Sequence, residues 1–478
     1  MTVFLDPSFV DAKCCWPESG KTALQGHSTM KTTPLESWVS GKIGNAELPL
    51  TREKIERYQL IKLQETLTWA AGRSSFYRER FADLDATGLR SIEDLQCLPF
   101  TTAEDVKRNP LPFLCVSQGE ISRVVTLKSS GTTGESKRIY FTGGDQELTV
   151  DFFRAGMSTL VSHGSRVLIL LPGERPGSVG DLLAVGLRRL GAHAVAYGPV
   201  RTCTHALEAM HREQIDTLVG IPVQILALAR HSKGKAPPKS VLLSTDHVPA
   251  AISGELKRTW GCEVYTHYGM TEMGYGGGVE CEARYGYHMR EADLLFEIVD
   301  PKTGVPLEDG RTGEVVFTTL TRRGMPLIRY RTGDLSRFHC EPCPCGTVLK
   351  TMKQVKGRIT KQFELEPGIL LTMADLDEAL FPIRDLIDFT AELTWEHDRS
   401  HLRITAFFLD GSCMQSGRQR INDISEALNS VSSLQSCARR GKLRITVALR
   451  EGHFGASSGS TKRTIIDKRV GERHHVHL

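Results

Sequence analysis

An α/β fold is predicted: a large N-terminal domain of helix-flanked, mostly parallel sheets with an antiparallel meander, followed by a small α+β C-terminal domain. Three observations carry this. Strand-like and helix-like patterns alternate strictly from 167 to 266. Short extended runs separated by turn residues follow from 294 to 331. After a composition break around 340–360, strands and a helix resume in a different order.

Residues 1–35 mix Pro, Ser, Thr, Gly and Lys without periodicity and read as a loosely ordered extension. From Thr51 onward Leu60, Leu63, Leu67 and Ala70-Ala71 share one helical face, which ends near Gly72. Thr101-Thr102-Ala103-Glu104-Asp105 reads as a helix start. Strands are expected at 167–171, 192–197, 217–219, 240–243 and 263–266, with helices at 180–190, 207–214, 223–230 and 250–260. In such sheets ligands sit beyond the carboxyl ends of the strands, where Thr245-Asp246 and His267-Tyr268-Gly269 fall. The meander takes 294–299, 313–319 and 327–331, with a turn at Asp300-Pro301-Lys302-Thr303-Gly304. Beyond it come strands at 389–395 and 402–409, a helix at 419–434 and a strand at 442–449. The expected division is therefore 1–35, 36–356 and 357–478, with the boundary at Val355-Lys356-Gly357.

At 478 residues the chain is too long for one ordinary core. Its 60 Lys and Arg against 56 Asp and Glu leave a net charge of only +4, spread along the chain, which gives no footprint for nucleic acid or an acidic membrane. No apolar run approaches a membrane span, and the first residues lack the apolar middle of a signal peptide, so a cytoplasmic location is the default expectation. In a long cytoplasmic chain the 12 cysteines read as thiols or metal ligands rather than disulfides.

The stretch Ser129-Ser130-Gly131-Thr132-Thr133-Gly134-Glu135-Ser136-Lys137 has no apolar side chain and joins two extended segments, 124–127 and 139–141. Its glycines allow close backbone approach, its hydroxyls and N–H groups donate, and Lys137 adds positive charge, all of which suits a polyanion. It is not a Walker A loop, because Gly131 and Gly134 are three apart and Lys137 follows a serine. Composition alone would fit a flexible surface loop; the order of residues argues against that.

This loop is followed in order by Tyr268-Gly269-Met270-Thr271-Glu272, by Tyr330-Arg331-Thr332-Gly333-Asp334 and by Gly357-Arg358. Upstream stand Ser74-Ser75-Phe76-Tyr77-Arg78 and Leu98-Pro99-Phe100-Thr101-Thr102-Ala103-Glu104-Asp105. Together these resemble the adenylate-forming superfamily of acyl-CoA synthetases, with the nearest likeness to phenylacetate–CoA ligases and related aryl-CoA ligases. The likeness covers roughly residues 35–360 and weakens beyond. It implies an ATP- and acid-binding large domain and a small domain that is mobile about the hinge. The implied reaction joins a carboxylic acid to ATP, releases pyrophosphate, and passes the acyl group from the adenylate to CoA. By resemblance Ser129, Ser130, Gly131, Thr132, Thr133, Gly134 and Lys137 hold the phosphates. Thr271 touches the α-phosphate, and Glu272 ligates Mg²⁺. Asp334 accepts from the ribose hydroxyls with Arg358 beside it, and Ser244-Thr245-Asp246 stands at the adenine contact with Tyr268 and Gly269. The acid pocket falls on Tyr268, Met273, Gly274 and Tyr275, whose aromatics could stack on an aryl acid or belong to the core. The implied partner is a small carboxylic acid, with neither nucleic acid nor membrane; a homodimer stays open.

Cys343-Pro344-Cys345 is a tight pair, and Cys281 and His288 precede it. Zinc in a structural role takes four such ligands in a tetrahedron, and similar positions in related aryl-CoA ligases carry cysteine and histidine. The expected set is Cys281, His288, Cys343 and Cys345, with Cys340 as the substitute ligand; unrelated free thiols on a turn are the alternative.

The small domain departs from the family. Gly357-Arg358 is followed by Ile359-Thr360-Lys361, where an acidic hinge residue is usual. Lys462, in Gly459-Ser460-Thr461-Lys462-Arg463, is the candidate adenylating lysine, although another alignment puts Ser460 at that position. These departures leave two alternatives beside the CoA ligase: transfer to a carrier protein or amine, and a weakly catalytic nucleotide-binding regulator.

Overall fold

The computed structural model describes residues 30–44, 49–82, 88–127, 136–355, 357–396, 399–409, 417–451 and 463–469. Helices α1 (Pro34–Ile43), α2 (Arg52–Arg73), α3 (Ser75–Arg80) and α4 (Ala103–Arg108) come first. The Thr51 hydroxyl accepts from the Lys54 N–H at the start of α2, and Thr102 and Asp105 cap α4 reciprocally. Leu63, Leu67 and Ala70 form the buried face of α2.

β1 (Ile121–Leu127) and β2 (Lys137–Thr142) pair antiparallel, with Leu127 opposite Lys137. The two extended segments on either side of the polar loop are thus neighbouring strands. The loop's own Ser129, Ser130, Gly131, Thr132, Thr133 and Gly134 lie outside the described residues.

After α5 (Gly143–Met157) the predicted alternation holds: β3 (Arg166–Ile169), α6 (Val179–Arg189), β4 (His193–Ala196), α7 (Cys203–Arg212), β5 (Thr217–Gly220), α8 (Pro222–Ser232), β6 (Ser240–Leu243), α9 (Ala250–Trp260) and β7 (Glu263–Tyr268). These five strands are parallel, in the order β4-β3-β5-β6-β7. β5 and β6 are buried at every position, which is why they read as continuous apolar runs rather than alternating ones. β8 (Gly278–Glu280) and β9 (Tyr287–Met289) continue the sheet antiparallel.

The meander consists of β10 (Leu294–Val299), β11 (Gly313–Thr319) and β12 (Tyr330–Ser336). Its third strand starts later than the predicted 327. Arg329 has φ 47, a left-handed conformation that interrupts an extended chain, and its guanidinium is held by Glu297 and by the carbonyls of Gln96 and Leu98. β13 (Thr351–Met352) adds to β9 and closes the eight-stranded sheet, while β14 (Gly357–Arg358) adds to β12.

The smaller C-terminal α+β part begins with a hairpin of β15 (Gln362–Glu366) and β16 (Ile369–Thr372), then α10 (Met373–Leu380). β17 (Leu386–Glu396), β18 (Arg399–Phe408), β19 (Leu443–Glu451) and β20 (Ile466–Asp467) form a sheet in the order β19-β18-β17-β20. The helix predicted over 419–434 is two helices, α11 (Gly417–Asn429) and α12 (Ser432–Arg439). Val431 between them is extended (ψ 112), and the Ser430 hydroxyl donates to the Ala427 carbonyl, giving the backbone an alternative to another helical turn.

The two parts pack through apolar side chains: Leu226 of α8 and Ile252 of α9 share a buried cluster with Leu386 and Phe389 of β17. Arg230 of α8 reaches across this contact and donates to the carbonyls of Phe381 (2.9 Å) and Leu386. No helix among the described residues is long and apolar enough to cross a membrane.

Candidate active site

The carboxyl ends of β6 and β7 open on a cavity of about 110 Å³. Thr245 and Asp246 come to it from the end of β6, and His267, Tyr268 and Gly269 from the end of β7. Asp334, Arg358, Lys361, Asp377 and Arg463 complete the charged part of its wall. Topology alone therefore brings the predicted strand-end residues together. Thr245 has φ 77, an unfavourable conformation for a β-branched residue of the kind that concentrates at functional sites.

Asp334 is the anchor of the cavity. It sits on β12 directly opposite Arg358 on β14, and Arg358 Nε donates to Asp334 Oδ1 at 2.5 Å. Tyr268 Oη donates to Asp334 Oδ2 at 3.0 Å. Burial pushes the Tyr268 phenol well above its usual range and the Asp334 charge adds to this, so the tyrosine stays a hydrogen-bond donor. A carboxylate held this way, 3% exposed, is a fixed acceptor for hydroxyls entering the cavity.

A second constellation surrounds Glu272, in a short turn (Thr271–Met273) beyond β7. Lys137, the first residue of β2, pairs with Glu272 Oε1 and also donates to Tyr330 Oη at 3.1 Å. Tyr330 Oη in turn donates to Glu272 Oε1 at 3.2 Å. Burial acts to raise the Glu272 carboxyl, but the Lys137 ammonium outweighs it and holds the group below its ordinary value. Arg322, also buried, donates to the Glu272 carbonyl at 2.7 Å and lies over the Phe141 ring at 4.3 Å, fixing the turn from behind. The β1–β2 register thus delivers the lysine that ends the polar loop to the carboxylate predicted to bind a metal ion.

The residues after Glu272 are packed. Met273 is buried in the same apolar cluster as Tyr268, and the Gly274 carbonyl accepts from Thr149 Oγ1 at 2.9 Å. Tyr275 adopts φ 67 and stacks on Phe141, with ring centroids 5.8 Å apart. Ser244 Oγ is 3.0 Å from His267 Nδ1, whereas His267 Nε2 is buried beside Phe152 and Phe153 with no hydrogen-bond partner among the described residues. Burial lowers the His267 imidazole to about 4 and keeps it neutral. Lys462 and Ser460 lie outside the described residues, but Arg463, the next residue after Lys462, reaches the cavity.

Four predicted metal ligands converge far from one another in sequence. Cys281 and His288 come from the β8–β9 hairpin, and Cys343 and Cys345 from the segment ahead of β13. Their ligand atoms all lie within 4.8 Å of one another, and all four residues are buried. Cys281 Sγ and Cys343 Sγ are 3.7 Å apart, and Cys345 Sγ and His288 Nε2 are 3.5 Å apart. A tetrahedral zinc with sulfur at about 2.3 Å and nitrogen at about 2.0 Å requires edges of roughly 3.5–3.8 Å, so the residues present fit the ion. His288 Nδ1 contacts Thr351 Oγ1 at 3.2 Å, an outer partner that orients the ring. Cys340 is exposed and stands against Gly310, outside the group, so the substitute ligand is not used.

Sequence reasoning passed over Arg322, and it gave no role to Tyr330, Lys361, Arg463 and His267, which it met only within motifs or at a strand end. Tyr330 opens the very motif that supplied Asp334, and His267 immediately precedes Tyr268, so a signal was present for both. Arg322 stands in Thr321-Arg322-Arg323, which reads as a solvated charge run.

Residues 122–320 match the family of AMP-binding enzymes. The phenylacetate–coenzyme A ligase of Thermus thermophilus is 31% identical over 353 residues, covering 71% of this chain and 78% of that protein. The enzyme of the same name from Pseudomonas putida is 30% identical over 361 residues, covering 70% and 77%. Among solved structures, 2-hydroxyisobutyryl-CoA ligase in its postadenylation state superposes with a TM-score of 0.75 at 20% identity, covering 89% of this chain and 92% of that one. The same ligase in its thioesterification state superposes at 0.62. The chain belongs to the phenylacetate–coenzyme A ligase family of AMP-binding enzymes, as an AMP-forming ligase that converts a carboxylic acid to an acyl-adenylate and then to an acyl-CoA.

Proposed function

We propose that this ligase activates an aryl or related carboxylic acid at the cavity between Tyr268, Asp334 and Arg358. The observation that carries the assignment is the Asp334–Arg358 pair: a buried carboxylate in register with an arginine, flanked by Tyr268, is an acceptor built for a ribose diol. Thr245 and Asp246, with Ser244 and Gly269, face the adenine. The loop carrying Ser129, Ser130, Gly131, Thr132, Thr133 and Gly134 encloses the β- and γ-phosphates, with Lys137 at its end.

Thr271 contacts the α-phosphate. Glu272, whose carboxylate accepts from Tyr330 Oη, would hold Mg²⁺, and the bound ion would neutralise phosphate charge. In the pairing seen here Lys137 occupies Glu272; with phosphates in place Lys137 turns to them and frees the carboxylate. The acid carboxylate attacks the α-phosphorus, pyrophosphate leaves, and the thiol sulfur of CoA then attacks the acyl carbon and expels AMP. The protein's part is to align the two reactants and to neutralise the developing charge, for which Lys462 is the proposed cation.

The acid itself is placed against Tyr268, Met273, Gly274 and Tyr275. Tyr275, stacked on Phe141 and packed against the apolar cluster that holds Phe152 and Phe153, supports an aromatic acid. The sulfur and nitrogen edges of the Cys281, His288, Cys343 and Cys345 group support a structural zinc, which ties β8–β9 to the segment before β13. Residues 36–356 are proposed as the ATP- and acid-binding domain, and 357–478 as a small domain that swings about Gly357-Arg358 between half-reactions. Nine free cysteines among the described residues support a reducing, cytoplasmic setting.

The test is acid-dependent exchange of pyrophosphate into ATP over a panel of aryl and aliphatic acids, followed by CoA addition and mass detection of the thioester. Exchange with aryl acids and a CoA thioester are the expected results. Exchange with aliphatic acids alone would refute the aryl assignment, and exchange without thioester would move the acceptor away from CoA.

A further inference from the structure

Arg463 is tied on every side at the edge of the nucleotide cavity. Its backbone N–H donates to Asp246 Oδ2 at 2.9 Å, and its backbone carbonyl accepts from Lys361 Nζ at 3.3 Å. Its guanidinium donates to Asp377 Oδ1 from Nη2 at 3.0 Å and from Nε at 3.3 Å, and to Asp388 Oδ1 from Nη1. The guanidinium lies over the Phe389 ring at 4.5 Å and the Phe381 ring at 5.1 Å. The side chains of Arg463, Asp377 and Asp388 are 11%, 4% and 8% exposed, so these contacts are largely removed from water.

The partners come from three places. Asp246 follows β6 in the large part, Lys361 lies in the short turn after β14, and Asp377 and Asp388 belong to α10 and β17 of the small part. The contacts therefore divide by what a swing of the small part would do to them. The two carboxylates that hold the guanidinium travel with Arg463. The Asp246 bond to its N–H crosses between the two parts and must break. Lys361, just beyond the proposed pivot at Gly357-Arg358, travels with Arg463 and holds the opposite side of the same residue. Both main-chain groups of Arg463 thus engage charged side chains, and such charge-assisted bonds are roughly twice as strong as neutral ones.

We infer that Asp246 and Lys361 form a clip on the main chain of Arg463 that registers the C-terminal segment on the nucleotide cavity for adenylation, and that the clip opens for the CoA step at its Asp246 side. This rests on the two-step reaction proposed above. Arg463 and Lys361 are positioning residues: they act by fixing the chain that follows Lys462, not by contact with the reacting atoms. Lys361 stands where the family usually carries an acidic residue, so in this chain the hinge region supplies a cation to the clip. The Asp377–Asp388 box keeps the segment folded onto its own part while the clip is open.

The experiment measures the two half-reactions separately on the full chain: acid-dependent pyrophosphate exchange, and thioester formation from supplied acyl-adenylate and CoA. Lys361→Met, which removes one bond at a half-buried position, should lower the exchange kcat by about tenfold or more, the loss expected of one charge-assisted bond. The loss in exchange should exceed any loss in the thioester half-reaction by about tenfold, and Lys361→Arg should restore most of the exchange. Equal loss in both half-reactions, no loss in either, or a change confined to the ATP KM would each overturn the clip. Absence of exchange in the unaltered enzyme would instead sink the adenylation reading on which the clip depends.

Discussion

Replacing Asp334 by asparagine isolates the charge of the group proposed to hold the ribose. The substitution keeps size and leaves one neutral oxygen that can still accept from Tyr268 Oη, now 3.0 Å from the carboxylate. It removes the charge facing Arg358 Nε at 2.5 Å. Breaking a fully buried ion pair costs about 3–5 kcal/mol, but the Arg358 side chain is 25% exposed and can reach water, so a stability loss nearer 1–2 kcal/mol is expected. The larger effect falls on ATP. A hydrogen bond to a charged acceptor contributes about 1.5–3 kcal/mol and one to a neutral acceptor about 0.5–1.5, so two ribose hydroxyls together lose about 2–3 kcal/mol. That corresponds to a drop of roughly 30- to 150-fold in kcat/KM for ATP. Pyrophosphate exchange at saturating acid, with ATP varied, reads the effect directly, and a melting curve reads the stability term. A variant whose kcat/KM for ATP stays within about threefold of the parent enzyme would refute the ribose assignment, whatever its melting temperature.

Three further expectations follow from the same geometry. Lys137→Met leaves Glu272 buried without its ammonium, so the carboxyl rises. The stabilising charge of Glu272, present at neutral pH and lost as pH falls, is then lost at higher pH, and the acid limb of the exchange profile should move upward; an unmoved limb would separate the two groups. His267, held neutral with a pKa of about 4 by burial, should cost up to about 3 kcal/mol of stability as pH falls from about 6.5 to 4, because the unfolded chain takes a proton that the buried ring refuses. His267→Asn should flatten the dependence of the urea midpoint on pH in that window, and an unchanged slope would contradict the neutral ring. Freshly purified protein should contain about one zinc per chain, and Cys345→Ser should lower both the zinc content and the melting temperature; metal-free protein of full stability would leave the four residues as ordinary thiols and an imidazole.

The sheet was legible because its strands are short, apolar and separated by amphipathic helices, a pattern that burial on both faces imposes. Errors came where one residue's conformation outweighed the pattern. Leu327 and Ile328 are apolar and extended in appearance, yet the left-handed Arg329 delays the strand to Tyr330. The run 419–434 has helical periodicity throughout, yet Ser430 and Val431 divide it. In both places hydrogen bonds made by a single polar residue decided the outcome, and periodicity contains no information about those bonds.

For the site, the legible part is the part written contiguously. Tyr268-Gly269-Met270-Thr271-Glu272 and Tyr330-Arg331-Thr332-Gly333-Asp334 each bring their members to one strand end, and the structure joins the two through Tyr268–Asp334 and Tyr330–Glu272. The cysteine and histidine cluster was within reach for a related reason: few residue types ligate zinc, so two short segments already narrow the choice. The acidic box around Arg463 offers no such economy. Asp377 and Asp388 are ordinary acidic residues in sequence, each at a position where a solvated charge would serve as well, and Asp246 was legible as a strand-end nucleotide contact but not as a partner of Arg463. Their roles arise only when β6, α10 and β17 converge on Arg463, Asp246 at its backbone N–H and the other two at its guanidinium. Burial then turns the box from incidental charge into constraint: an arginine so enclosed cannot leave without stranding carboxylates in an apolar setting. A small domain that keeps the Asp377–Asp388 box intact while exchanging only the Asp246 bond can move at low cost and still return to one register.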